Sequence, residues 1–155
     1  MKKSVEESYP IGSDEYFMRE ALKEATVAYD REEVPIGAVV VSGGRIIGRG
    51  HNLTESLQDV TAHAEMIAIT AAQNELGTKV LPECTLYVTI EPCAMCAGAM
   101  RWARLARVVW GANEEKVGFT CFSQEILHPR TEVKQGVLGE ECRALMQAFF
   151  ADKRH

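Results

Sequence analysis

His63, Glu65, Cys93 and Cys96 are the side chains of this 155-residue chain whose types and spacing could do chemistry. Cysteines three apart on a helix project from neighbouring positions of one face, so Cys93 and Cys96 can reach one metal ion together. Pro92 just ahead of them marks a helix start, where unpaired backbone N–H groups and the positive end of the helix dipole stabilise thiolates. His63 sits at the start of another helical stretch and can supply a third ligand. Two thiolates and an imidazole select zinc over magnesium or calcium and ask for no redox role. Cys84, Cys121 and Cys142 stand alone, and His51, His128 and His155 lie outside the motif, so no fourth protein ligand is evident. Three ligands with an open corner is the pattern of a catalytic zinc site, in which bound water has its pKa lowered to about 7. Glu65, two residues after His63, does not share its helical face and suits that water better than the metal. A carboxylate there can accept the water's proton, pass it to a ring nitrogen and then to a leaving amine.

Each element taken alone has a plainer reading. A Cys-x-x-Cys pair also serves redox exchange or half of a structural zinc knuckle, and a glutamate near a helix start can simply favour the dipole. A redox pair would leave His63 and Glu65 without a role. The combination is more specific: His-x-Glu followed after about thirty residues by Pro-Cys-x-x-Cys is the signature of zinc-dependent nucleobase deaminases.

The elements that must position these residues alternate between strand-like and helix-like patterns. Ser13 can cap a helix that carries Asp14 and Glu15 in its first turn and ends near Asp30. Ile36 to Val41 and Arg45 to Gly50, joined by Gly43-Gly44, read as a hairpin. Asp59 and Thr61 offer caps for a helix from about Ala62 to Asn74. Cys84 to Thr89 is strand-like, Cys93 to about Ala103 helical, and Leu105 to Gly111 the next strand. Residues 112–130 look irregular, Glu132 to Lys134 a short strand, and Leu138 to about Asp152 a final amphipathic helix with the stripe Leu138, Cys142, Leu145, Met146 and Phe149. Helices interleaved with strands argue an α/β sheet covered on both faces.

Composition sets the frame for this chemistry. A hydrophobic share of 46% and a charged share of 25% fit one soluble domain spanning 1–155, and no segment is apolar enough to cross a bilayer. Five cysteines without scaffold spacing favour a reducing cytoplasm. A net charge of -5 has the wrong sign for broad phosphate attraction, so a nucleic-acid partner must be held by a local patch.

At Asp14-Glu15-Tyr16-Phe17-Met18, Glu33-Val34-Pro35-Ile36-Gly37-Ala38-Val39, Thr61-Ala62-His63-Ala64-Glu65 and Thr85-Leu86-Tyr87-Val88-Thr89 the chain resembles the bacterial tRNA-specific adenosine deaminases of the cytidine deaminase-like superfamily. The likeness continues through Glu91-Pro92-Cys93-Ala94-Met95-Cys96-Ala97-Gly98-Ala99-Met100, Gly111-Ala112, Gly136-Val137-Leu138 and Glu141-Cys142. It implies a three-layer α/β/α sandwich with a five-stranded mixed sheet, one zinc ion per chain, a homodimer, and conversion of a tRNA wobble adenosine to inosine, in this family that of an arginine tRNA. It also implies that Asn52 hydrogen-bonds the nucleoside, the alternative being a turn asparagine, and that Glu114 and Lys116 border the RNA backbone, a solvated loop explaining them equally well. Phe149 and Phe150 match an aromatic pair near bound RNA, with core packing the stronger reading for Phe149. Lys153 and Arg154 form either a small basic patch or a polar tail. Arg101, Arg104 and Arg107 form either a phosphate-facing cluster or a solvated face. The segment from Lys116 to Gly136 departs from the family in being several residues shorter, at the border of the substrate entrance.

Two further functions share the same residues. A deaminase of free bases or nucleosides, such as guanine or cytosine, would use the same machinery in a more closed pocket. A zinc-stabilised binding module would need a fourth protein ligand and no turnover.

Overall fold

A computed structural model describes residues 9–153. Five strands, β1 (Gly37–Ser42), β2 (Arg45–His51), β3 (Cys84–Ile90), β4 (Arg107–Ala112) and β5 (Glu132–Lys134), form one sheet in the order β2-β1-β3-β4-β5. The β1–β2 and β1–β3 pairs are antiparallel and the β3–β4 and β4–β5 pairs parallel, giving the mixed sheet. Alternation along the strands divides the core between the two faces. Val39, Val41, Tyr87 and Val109 pack under α1 (Asp14–Asp30) and α5 (Gly139–Lys153). Ala38, Val40, Leu86, Val88, Val108 and Trp110 pack under α3 (Ala64–Leu76) and α4 (Ala94–Ala103). The result is the three-layer sandwich.

Local chemistry fixes most boundaries where the sequence puts them. The Ser13 hydroxyl accepts the Tyr16 N–H and caps α1. Cys142 and Phe149 of the expected α5 stripe are buried, while Phe150 stays exposed. Two expectations need correction. Asp59 and Thr61 do not cap α3, which begins at Ala64 with His63 as N-cap; the Asp59 carboxylate instead closes the preceding turn on the Thr61 N–H and hydroxyl. A short helix, α2 (Thr54–Leu57), stands where none is expected, held by the buried Glu33 carboxylate accepting the N–H groups of Glu55 and Ser56 and the Ser56 hydroxyl. The span 112–130 is irregular as expected, apart from a 3-10 turn at Phe119–Cys121, but it is fastened to the core. Phe119 and Leu127 are buried in the core, and Arg101 donates to the carbonyls of Glu125, Ile126 and Leu127.

Glycines bring α3, and with it His63 and Glu65, hard against the sheet. A Cβ at Gly50 would lie 2.4 Å from the Ala64 carbonyl oxygen, and one at Gly48 2.3 Å from that of Ala68. Gly50→Ala is therefore expected to destabilise the fold by about 2–3 kcal/mol, the cost of overpacking, and to weaken zinc retention by displacing the first turn of α3. Urea unfolding and metal analysis of the variant check both.

Candidate metal centre and active site

Two helix N-termini converge on one point. His63 is the N-cap of α3 and Cys93 the N-cap of α4, both extended in backbone, and neither side chain caps its own helix. Their side chains are turned toward each other instead. Cys96, the third residue of α4, lies in the first helical turn as expected and is fully buried, whereas Cys93 stands just ahead of that turn as its cap. The three ligand atoms lie within 4.8 Å of one another, with His63 Nδ1 3.7 Å from Cys93 Sγ and 3.5 Å from Cys96 Sγ. A tetrahedral zinc with bonds of about 2.3 Å to sulfur and 2.0–2.1 Å to nitrogen needs nitrogen and sulfur about 3.6 Å apart. The donor set fits zinc in chemistry and in spacing, and no other His, Cys, Asp or Glu cluster of this kind occurs among the described residues.

The electrostatics follow from crowding and burial. The Cys93 thiol is pulled down to about 4, first by the hydrogen bond from Cys96 and then by His63. Cys96 is pushed far up, because a thiolate beside it and burial both oppose a second negative charge. A dication removes that conflict and lets both sulfurs ionise. Glu65 is buried in the first turn of α3, where burial lifts its carboxyl to about 7. Its carboxyl interacts electrostatically with His63, Cys93 and Cys96.

Other expected residues are distributed differently. Asn52 is buried at the end of β2, and its side-chain oxygen accepts the Thr54 N–H, the turn role, leaving the amide nitrogen as its donor end. Glu114 turns its carboxylate onto the Lys116 and Val117 N–H groups of its own loop. Glu114, Lys116 and Phe150 nonetheless meet, lining a groove of about 880 Å³ with Ile90, Arg143 and Met146. Ile90 ends the strand that leads to Cys93.

Of the three arginines, Arg104 and Arg107 line one cleft with His128 and Arg130, whereas Arg101 is outside its lining. Arg101 is spent on loop carbonyls, and Arg107 grips Asp14 through two hydrogen bonds of 2.8 Å. That guanidinium holds the Asp14 carboxyl well below the usual carboxylate range. Lys153 pairs with Glu32, and Arg154 lies outside the described residues. Glu91 is the residue that sequence reasoning passed over. Its buried carboxylate accepts hydrogen bonds from Glu114 and Thr120, partners 23 and 29 residues away, which no local pattern announces.

The family model of the cytidine and deoxycytidylate deaminase zinc-binding region matches residues 11–112. Over 146 residues the chain is 48% identical to the tRNA-specific adenosine deaminase of Bacillus subtilis (strain 168), covering 91% of each chain. It is 43% identical over 151 residues to that of Streptococcus pyogenes serotype M18, covering 94% of this chain and 95% of the relative. A solved structure from studies of A-to-I editing by tRNA:A34 deaminases at the wobble position superposes with a TM-score of 0.78 at 45% identity, over 84% of this chain and 98% of that one.

Proposed function

Since the chain belongs to the tRNA-specific adenosine deaminases, a family built on the cytidine and deoxycytidylate deaminase zinc-binding region, we propose that it converts adenosine to inosine at the wobble position of a tRNA anticodon. The observation that carries the reading is the convergence of His63, Cys93 and Cys96 beside the buried carboxyl of Glu65. In this reading the three side chains hold the zinc. When bound, the ion supplies Lewis acidity that makes water a nucleophile at neutral pH. Glu65 takes a proton from the attacking water and delivers it to the ring nitrogen next to C6. Glu65 then takes the remaining proton from the oxygen newly bonded to C6 and passes it to the amino group, so that the C6–N bond breaks as the C6 carbonyl forms and ammonia leaves. Enclosure of Glu65 keeps these transfers away from bulk water.

Asn52 offers its amide nitrogen to the nucleoside while its oxygen holds the turn. The groove bearing Glu114, Lys116 and Phe150 supports contact with RNA beyond the base, since an aromatic face and a cation there suit unstacked nucleotides. A homodimer also belongs to this reading. It is supported by the apolar side chains that α4 leaves uncovered, Trp102 being 81% exposed and Met95 38%. Five free cysteines support a cytoplasmic setting.

Incubating the zinc-loaded protein with tRNA bearing a wobble adenosine, then digesting to nucleosides for mass spectrometry, should reveal inosine at that position. Ammonia release from free guanine or cytosine with no inosine in tRNA would overturn this reading in favour of a free-base deaminase.

A further inference from the structure

The loop after β4 is fastened to the metal-binding segment by a single carboxylate. Glu91 lies between the end of β3 and Pro92-Cys93 and is 5% exposed. Its Oε1 accepts the Glu114 N–H at 3.1 Å, and its Oε2 accepts the Thr120 N–H at 3.0 Å and the Thr120 hydroxyl at 2.6 Å. The loop between those partners folds back onto the same segment. The Phe119 N–H donates to the Pro92 carbonyl at 2.8 Å, and Gly118 forms an isolated antiparallel bridge with Cys93. A Cβ at Gly118 would sit 2.4 Å from the Glu91 carboxyl carbon, so the loop's backbone lies directly against the carboxylate. The Phe119 ring anchors the far end, edge-on to the buried Trp110 with centroids 5.5 Å apart.

We propose that Glu91 is a positioning residue that ties the loop 114–120, whose residues 114–116 line the groove, to the zinc ligand Cys93, so that the metal site and the groove keep one shared geometry. The inference rests on the reading of this site as a zinc deaminase. A buried carboxylate with three donors is costly to desolvate and is stabilised only when all of them are present. Remove it, and two backbone N–H groups lose their acceptor next to the segment that sets the direction of Cys93. Residues that support metal ligands in this way typically change metal affinity by about 10–100-fold when substituted.

Glu91→Gln tests this in the full-length, zinc-loaded protein. The amide is isosteric, but its NH2 must face either the Thr120 pair of donors or the Glu114 N–H. Competition with a chromophoric zinc chelator should show zinc held about 10-fold or more weakly, and amide hydrogen exchange should quicken across 114–120. At saturating zinc the variant's kcat for tRNA should recover while its KM remains raised, a split that general loss of stability would not produce. Thr120→Val, which removes only the hydroxyl, should move zinc affinity and exchange in the same direction by less. Unchanged zinc affinity and unchanged exchange in folded Glu91→Gln would overturn the proposal; if that variant does not fold, the same null result in Thr120→Val would do so. Zinc competition and exchange involve no substrate. Absence of inosine formation by the wild-type protein would therefore count against the assigned reaction and leave the positioning role to be judged by its own readouts.

Discussion

Glu65→Gln is expected to keep its zinc and its fold while forming inosine about 10²–10⁴-fold more slowly, the range lost with a general acid–base group. The carboxyl is buried in the first turn of α3, next in chain to His63-Ala64, and interacts electrostatically with the three metal-binding side chains. Glutamine fills the same volume, so packing under α3 is preserved. It cannot take a proton from water or return one, so the loss falls on the chemical step. Burying an ionised carboxylate is also costly, which the neutral amide avoids, so the melting temperature should stay level or rise. Single-turnover inosine formation, zinc content and a thermal melt on the same preparation read the three consequences separately. Undiminished inosine formation by the variant would show that Glu65 is not the proton carrier, and absence of inosine from both the variant and the wild type would favour a zinc-stabilised binding module. Loss of zinc would make Glu65 a ligand.

The second large effect is loss of the centre itself in Cys96→Ser. Cys96 is fully buried where α4 leaves the sheet, and its sulfur faces both Cys93 and the His63 imidazole. A serine hydroxyl is smaller and harder than a thiolate and does not ionise near neutral pH, so it cannot complete a soft donor set. The variant should purify with little zinc and form no inosine above background. Stability should fall with the metal, because an ion bound only by the folded state contributes about 4 kcal/mol when its concentration is a thousandfold above Kd. A chelator should accordingly lower the melting temperature of the wild-type protein and leave that of Cys96→Ser unmoved. Equal chelator sensitivity in the two proteins would mean that the ion is held elsewhere.

How much of this was legible in the sequence depends on the reach of each interaction. The Cys-x-x-Cys pair, the Ser13 cap, the glycine turn of the β1–β2 hairpin and the α5 stripe are all set by neighbours within a turn or two, and spacing reveals them. His63 and Cys93 are N-caps rather than helical residues because their side chains are committed to the site, a detail of one residue that composition cannot register. The ties that rigidify the surroundings are long-range. Glu33 reaches α2, Glu91 reaches Thr120, Arg107 reaches Asp14 and Arg101 reaches 125–127, and each looks like an ordinary charged residue until the fold brings its partner near. Residues 112–130 are accordingly irregular in backbone, as their sequence indicates, while the ties that fasten them emerge only in the fold. For the same reason spacing alone does not separate Arg101, held by loop carbonyls, from Arg104 and Arg107, which share a cleft.

The centre is tested most directly by zinc-edge X-ray absorption on the purified wild-type protein together with metal analysis. One zinc per chain, with two sulfur scatterers near 2.3 Å and one imidazole, and with the remaining light-atom position exchangeable by a small anion, is the expected result. A third or fourth sulfur, a second imidazole, or a protein without zinc would contradict the three-residue centre and the hydrolysis built upon it.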